Sequence, residues 1–281
     1  MDALLLSAGF GKRLRPFTDV LPKCLMPIWG RPLLGIWLEM LVGQGIKTIH
    51  VNLHYLAPLV REYIENSPYN TFVNFLDEPE LMGTAGSINF FRDAFTSDDL
   101  LVAHADNLTF FDVAAFQHAY HNRPKECAMT MMTFETDDPA SCGIVTLADD
   151  IVVKFVEKSP DESGTLANGA VYIFDLQTLF RHFDMVGPIS DISTQVLPHF
   201  VGRMNTFLNQ LYHRDIGNVG SLMNAQLELK EIPAAQDVLE RVDGYWTDNR
   251  SDTERKFRAV AHEAGLTKPG SADLFGMGAT V

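Results

Sequence analysis

The sequence predicts an α/β protein with a doubly wound, mostly parallel mixed sheet and a smaller second lobe. Two observations carry this. Short apolar runs alternate with helix-period segments through the first half of the chain, the pattern of strands crossing over through helices. The first apolar run, Leu4-Leu5-Leu6, also passes directly into Ser7-Ala8-Gly9-Phe10-Gly11-Lys12-Arg13, a flexible, basic, glycine-bearing loop of the kind that meets ligands at a strand end.

Taken in order, strands are expected at Ala3–Leu6, Thr48–Asn52, Thr71–Leu76, Leu100–Ala103 and Ala128–Phe134. Helices are expected between them at Leu33–Leu41, Ala57–Glu65, Thr84–Phe91 and Asp112–Tyr120. In Leu33–Leu41, the residues Leu33, Ile36, Trp37, Met40 and Leu41 follow helical spacing and so cover the sheet. Gly143–Leu147 and Ile151–Val156 read as a hairpin across Asp149-Asp150. The second half then offers a strand at Ala170–Phe174, helices at Leu176–His182 and Ile192–Phe200, and strands at Met204–Leu208 and Leu211–His213. A helix at Ser221–Lys230 is expected to stop at Pro233. Beyond Ala234 the character changes, with one further helix at Thr253–Ala264 and a glycine-rich end at 265–281. No hexapeptide repeat is present there.

Composition bounds the function. With 281 residues, 46% hydrophobic, the chain can bury one sizeable core plus an appendage. Its net charge of −14 argues against duplex nucleic acid, which needs a basic surface. The N-terminal apolar run lacks a basic leader and is too short for a signal peptide, and no stretch reaches membrane-spanning length. Three cysteines, Cys24, Cys127 and Cys142, lack paired spacing and suit a reducing, cytoplasmic setting. His118 and His121 share an amphipathic helix and read as surface or core residues, not as metal ligands.

Against this acidic background, Gly9 to Arg31 carries Lys12, Arg13, Arg15, Lys23 and Arg31 with Asp19 as its single acid. Such a segment suits a polyphosphate. Backbone N–H groups at the glycines contribute ~0.3–1 kcal/mol toward an anion, whereas a hydrogen bond from a charged group is worth ~1.5–3 kcal/mol. Arg13 and Lys23 are therefore the principal candidates. A P-loop ending at Lys12 would need glycine at position 6 and Ser or Thr at 13, where the chain has Leu6 and Arg13. A dinucleotide fingerprint from Gly9 fails at Leu14 and lacks the acid after the next strand.

Gly9, Gly11, Arg13, Leu14, Pro16, Thr18, Pro22, Lys23, Leu25 and Pro27 instead resemble the signature of the sugar-1-phosphate nucleotidyltransferases, the nucleotide-sugar pyrophosphorylases. That resemblance covers roughly residues 2–230. Its wording at Leu14-Arg15-Pro16 and Leu81-Met82-Gly83-Thr84-Ala85-Gly86 is most similar to the mannose- or heptose-1-phosphate guanylyltransferases. The thymidylyltransferases that act on glucose 1-phosphate usually carry a glutamine near Gly83, and none is present.

The resemblance implies a Rossmann-like nucleotidyltransferase domain over 1–232, with a nucleotide half to about 135, a sugar half from 136, and an extension of unassigned role over 233–281. It implies nucleotide contacts from Leu6, Ala8, Gly9, Gly11, Lys12, Arg13, Lys23 and Gly83. Gly143, Glu157, Lys158 and Asn168 would meet the sugar phosphate. Mg2+ would be held by Asp106, at a strand's carboxyl end, and by Asp215, which Gly217 would turn toward it. Arg13, Lys23 and Asp106 would be catalytic. Departures occur at His104-Ala105, where the family usually has a Gly-Asp or similar pair with the acid, and at Asn218.

The implied substrates are a nucleoside triphosphate, GTP first, and a sugar 1-phosphate, with self-association left open. Three other readings stay open: a UTP- or dTTP-dependent enzyme, a cytidylyltransferase acting on a non-sugar phosphate or phosphonate, and a regulatory subunit that binds a nucleotide sugar without chemistry.

Overall fold

The computed structural model describes residues 1–159, 164–244, 252–266 and 275. Pro160, Tyr245, Trp246 and most of the glycine-rich end lie outside the described residues. The strands are β1 (Asp2–Leu6), β2 (Pro27–Ile28), β3 (Arg31–Pro32), β4 (Ile49–Leu53), β5 (Val73–Asp77), β6 (Asp99–His104), β7 (Asn107–Phe110), β8 (Met129–Glu135), β9 (Gly143–Ala148), β10 (Ile151–Glu157), β11 (Leu166–Asp175), β12 (Met204–Leu208) and β13 (Tyr212–Asp215). The helices are α1 (Leu33–Gly43), α2 (Ala57–Glu65), α3 (Thr84–Phe90), α4 (Val113–His121), α5 (Leu176–Val186), α6 (Ile192–Gln195), α7 (Leu197–Phe200), α8 (Val219–Glu228), α9 (Pro233–Arg241) and α10 (Asp252–Glu263).

One nine-stranded sheet runs in the order β5-β4-β1-β6-β11-β8-β12-β10-β9. Strands β5, β4, β1 and β6 are mutually parallel. Strand β11 then inserts antiparallel between β6 and β8, which makes the sheet mixed and carries it without a break into the second half. Two-residue periodicity explains the layering, because alternate side chains of a strand face opposite sides. Ala3 and Leu5 join one core with Trp37, Val60, Phe116 and Leu222; Leu4 and Leu6 join the other with Ile88, Phe183 and Leu197. Every residue of β1 is buried, as a central strand covered on both faces must be.

Three local differences from the sequence reading have clear causes. Pro233 does not close the preceding helix; it opens α9, where its missing N–H costs nothing. The span Ile192–Phe200 breaks into α6 and α7 around Val196, because Pro198 cannot donate to a continuous helix. Finally, β7 pairs antiparallel with β13, a contact across about a hundred residues that no local pattern announces. The extension is not separate from the core, since Ala235, Leu239, Val242, Phe257, Ala261 and Phe275 join the cluster that holds Leu14, Phe17 and Trp37. No described helix is long and apolar enough to cross a membrane.

Candidate active site

The loop after β1 is folded into turns over buried apolar residues. It forms three 3-10 turns at Lys12–Leu14, Phe17–Asp19 and Lys23–Leu25, with Leu14, Phe17 and Leu25 fully buried beneath it. Its entrance is fixed by Ser7, whose N–H and Oγ donate to Oδ1 and the carbonyl of Asn52 at 2.6 and 2.5 Å. Gly11 is left-handed (φ 59°), and a Cβ there would come within 2.9 Å of Thr18 Cγ2 and 3.2 Å of Lys23 Cβ. Thr18 secures this approach by donating its hydroxyl to the Gly11 carbonyl at 3.0 Å, and Tyr55 Oη donates to the Thr18 carbonyl at 2.8 Å.

Two cavities adjoin at the carboxyl ends of β1 and β6. The smaller, about 220 Å3, is lined by Leu6, Ala8, Gly9, Gly83 and Glu78 among others; the larger, about 910 Å3, by Arg13, Gly143, Glu157, Lys158, Asn168 and Asp215 among others. Lys23, His104 and Asp106 line both. Of the site residues that the resemblance implies, only Gly11 and Lys12 line neither. Gly11 shapes the turn, and the Lys12 ammonium lies 5.4 Å above the Phe10 ring.

Where the cavities meet, four charged groups converge. The buried Lys23 Nζ donates to Asp106 Oδ2 at 3.0 Å and to Asp215 Oδ1 at 2.9 Å, while Arg13 Nη2 approaches Asp215 Oδ2 at 3.4 Å. Burial would lower the Lys23 pKa, but the two carboxylates outweigh it and raise it. Burial likewise opposes ionisation of Asp106, yet the Lys23 ammonium holds its carboxyl below the usual range. Asp215 arrives through the β7–β13 pair, whose register sets it opposite Asn107. Gly217 has a different role from the expected sharp turn. A Cβ there would meet Asp215 Oδ2 at 2.8 Å and Arg13 Nη2 at 2.9 Å, so glycine leaves room for the charged pair.

The wall of the larger cavity is equally specific. β10 ends at Glu157, and Lys158 turns left-handed (φ 45°) with its N–H donating to the Cys142 carbonyl at 3.0 Å. That turn lets two consecutive residues, which strand alternation would separate, line one cavity. Gly143 is needed there because a Cβ would come within 2.6 Å of Glu157 Oε2. Asn168 is partly engaged, with Nδ2 donating to Tyr172 Oη at 2.8 Å and Oδ1 accepting from the Ala170 N–H at 3.0 Å. One N–H and one lone pair remain for a ligand.

Gly83 (φ 76°) caps α3, and a Cβ would strike the Ser190 carbonyl at 2.4 Å. Thr84 Oγ1 accepts the Ile192 N–H at 2.8 Å and ties α3 to the second half of the chain.

Sequence reasoning missed Glu78. Its Oε1 accepts from Asn52 Nδ2 at 2.8 Å and from Ser87 Oγ, and its Oε2 accepts from the Met82 N–H at 3.2 Å; Glu78, Asn52 and Ser87 line the smaller cavity. An acid just past the carboxyl end of β5 was the available signal, the same one that identified Asp106. Two histidines of the larger cavity were also missed as wall residues. Burial lowers the His104 pKa and pushes His213 down to about 4, so both rings are neutral near pH 7. His213 lies on Phe134 with ring centroids 4.1 Å apart. Arg214 also lines this cavity, but its guanidinium is paired with Glu228 at 2.7 and 2.5 Å.

Among the described residues, no group of three or more His, Cys, Asp or Glu side chains forms a metal cluster. The donor set still fits Mg2+, which takes one or two carboxylates and completes its shell with water and substrate phosphate oxygens. Asp106 and Asp215 are two such carboxylates, held together by one lysine.

Paired cavities with convergent cations at the strand ends of a mixed α/β sheet are where open α/β folds bind phosphate-bearing ligands. The chain belongs to the nucleotidyl transferase family, whose profile matches residues 2–232. It is 29% identical over 230 residues to a mannose-1-phosphate guanyltransferase of Schizosaccharomyces pombe, covering 77% of this chain and 61% of that protein. It is 26% identical over 235 residues to a D-glycero-alpha-D-manno-heptose 1-phosphate guanylyltransferase of Aneurinibacillus thermoaerophilus, covering 82% and 99%. The crystal structure of HddC from Yersinia pseudotuberculosis superposes with a TM-score of 0.69 at 26% identity, over 81% of this chain and 99% of that one. The chain spans between two fifths and three fifths of the length of the first three curated relatives.

Proposed function

We propose that this chain transfers a nucleotidyl group from a nucleoside triphosphate to a sugar 1-phosphate, forming a nucleoside-diphosphate sugar and pyrophosphate. The observation that carries this reading is the Lys23 ammonium clasped between Asp106 and Asp215 where the two cavities adjoin. There the acceptor's phosphate oxygen would attack the α-phosphorus as its bond to the β-phosphate oxygen breaks. Both reactants are anions, so catalysis is chiefly charge neutralisation and alignment. Lys23 supplies a fixed positive charge at the α-phosphate, Arg13 reaches the departing phosphates, and Lys158 neutralises the acceptor's phosphate. Glu157 and Asn168 hold sugar hydroxyls. Asp106 and Asp215 would hold Mg2+, which supplies neutralisation of phosphate charge when bound.

GTP with mannose 1-phosphate or a heptose 1-phosphate is the favoured pair, supported by the relatives' names and by Glu78. Glu78 keeps one acceptor position, on Oε2, for one of guanine's two neighbouring donors, N1–H or the exocyclic amine; uracil and thymine present one N–H between two carbonyls that a carboxylate repels. Three free cysteines, two of them buried, support a cytoplasmic placement.

The test is to incubate the pure chain and Mg2+ with each nucleoside triphosphate and a panel of sugar 1-phosphates, measuring pyrophosphate. Release with GTP and a manno-configured acceptor is expected. Binding of a nucleotide sugar with no release from any pair would instead favour a regulatory subunit.

A further inference from the structure

The extension after residue 232 lies beyond the family match, yet it reaches the underside of the phosphate loop. Phe257, within α10, is fully buried, and its ring lies 5.2 Å from that of Phe17, tilted by 48°. Phe275 stacks on the same Phe17 ring at 6.3 Å and meets Phe257 at 5.8 Å. Phe17 begins the second 3-10 turn of the loop. The next residue, Thr18, holds the Gly11 carbonyl, and Gly11 packs against Lys23. A continuous path of close contacts thus runs from α10 through Phe17 and Thr18 to the turn that precedes Lys12-Arg13 and to the Lys23 stem.

We infer that α10 is a brace for the triphosphate-binding loop and that Phe257 is a positioning residue, setting the loop's backbone before nucleotide arrives. A loop already held in its bound shape binds without the ordering cost of a free segment. The inference rests on the proposed function for the identity of the loop's ligand, though not for the packing itself.

The test compares Phe257→Ala, Phe257→Leu and Leu239→Ala in the full chain. Leu239 is a buried residue of α9, the helix that packs on α1, and so controls for loss of extension packing alone. The brace predicts that Phe257→Ala raises KM for the triphosphate about tenfold, keeps KM for the sugar phosphate within about twofold, and is largely rescued by Phe257→Leu. Leu239→Ala should lower Tm without that split. Equal KM shifts in Phe257→Ala and Leu239→Ala, or a fall in Tm with no KM shift, would overturn the inference. A second readout needs no activity and serves if Phe257→Ala fails to fold. In Phe257→Val, a smaller truncation than alanine that still removes the ring, the loop amides of Leu14, Asp19 and Val20 should exchange hydrogen faster than in the parent while those of α1 are unchanged; equal protection in the loop would overturn the brace. Absence of turnover in the parent with every triphosphate would count against the proposed function, and the exchange measurement would then decide alone whether α10 braces the loop.

Discussion

The Lys23 ammonium lies 2.9 Å from Oδ1 of Asp215, although 192 residues separate the two in sequence. Lys23 is itself buried, so its charge is compensated by this carboxylate and by Asp106 and not by solvent. Lys23→Ala should lower kcat/KM by roughly 10²–10³, the loss typical of removing one pre-organised charge from a transition state. Lys23→Arg should not restore it, since a planar guanidinium does not fit a slot shaped for a point charge. Steady-state kinetics of the two variants check this.

Asp106→Ala and Asp215→Ala should each depress turnover severely, and the double variant should cost far less than their sum, because both serve one cation site. Stripping divalent ions with EDTA should abolish pyrophosphate release, and Mg2+ should restore it in the parent but not in the double variant. Full additivity would mean that the carboxylates act independently.

Glu78→Gln should cut kcat/KM for GTP by about 10–100-fold and narrow its preference over UTP, because an amide replaces one acceptor oxygen by a donor that faces either the guanine donors or the Asn52 amide and Ser87 hydroxyl. Competition between GTP and UTP in one reaction measures the ratio directly.

Lys158→Ala should raise KM for the sugar 1-phosphate more than KM for the triphosphate. The Lys158 ammonium lies 3.5 Å from Glu157 Oε1 in the larger cavity, away from the base pocket. The opposite ranking would put Lys158 at the wrong end of the site.

Stability should fall as pH drops below 6.5, in part through His50. This ring is buried on β4 against Phe95, and burial lowers its pKa although Asp2 nearby opposes the shift. Above 6.5 both folded and unfolded chains hold it neutral. Below that value the unfolded chain takes up a proton that the folded chain resists, so unfolding is favoured. Asp2 acts with the same sign at lower pH, since its own pKa is lowered: burial opposes this, and bonds from Thr96 and Ser97 prevail. In His50→Gln the loss of Tm between pH 7.5 and pH 5.5, values chosen to straddle the ordinary histidine value of about 6.5, should shrink.

The sequence by itself determined what local chemistry can encode. The apolar runs and helical spacings placed β1, α1 and α2 to within a few residues, because burial of a whole strand or of one helix face leaves a pattern in neighbouring positions. Gly9, Arg13 and Lys23 were legible because they stand in one basic segment with a motif's spacing, and Asp106 because it lies just beyond a strand whose end could be read. The tertiary structure alone decided what meets what. Asp215 reaches Asp106 only because β13 pairs with β7 in a register that sets it opposite Asn107, and that register depends on contacts a hundred residues apart. The loop whose glycines suggest an open segment is packed down because Leu14 and Phe17 are buried beneath it, Phe17 against Phe257 of the extension. Lys12, as basic as Arg13 and adjacent to it, lies over Phe10 and away from both cavities. Charge is written in the sequence, but the direction in which a side chain points is fixed by packing among residues far apart in the chain.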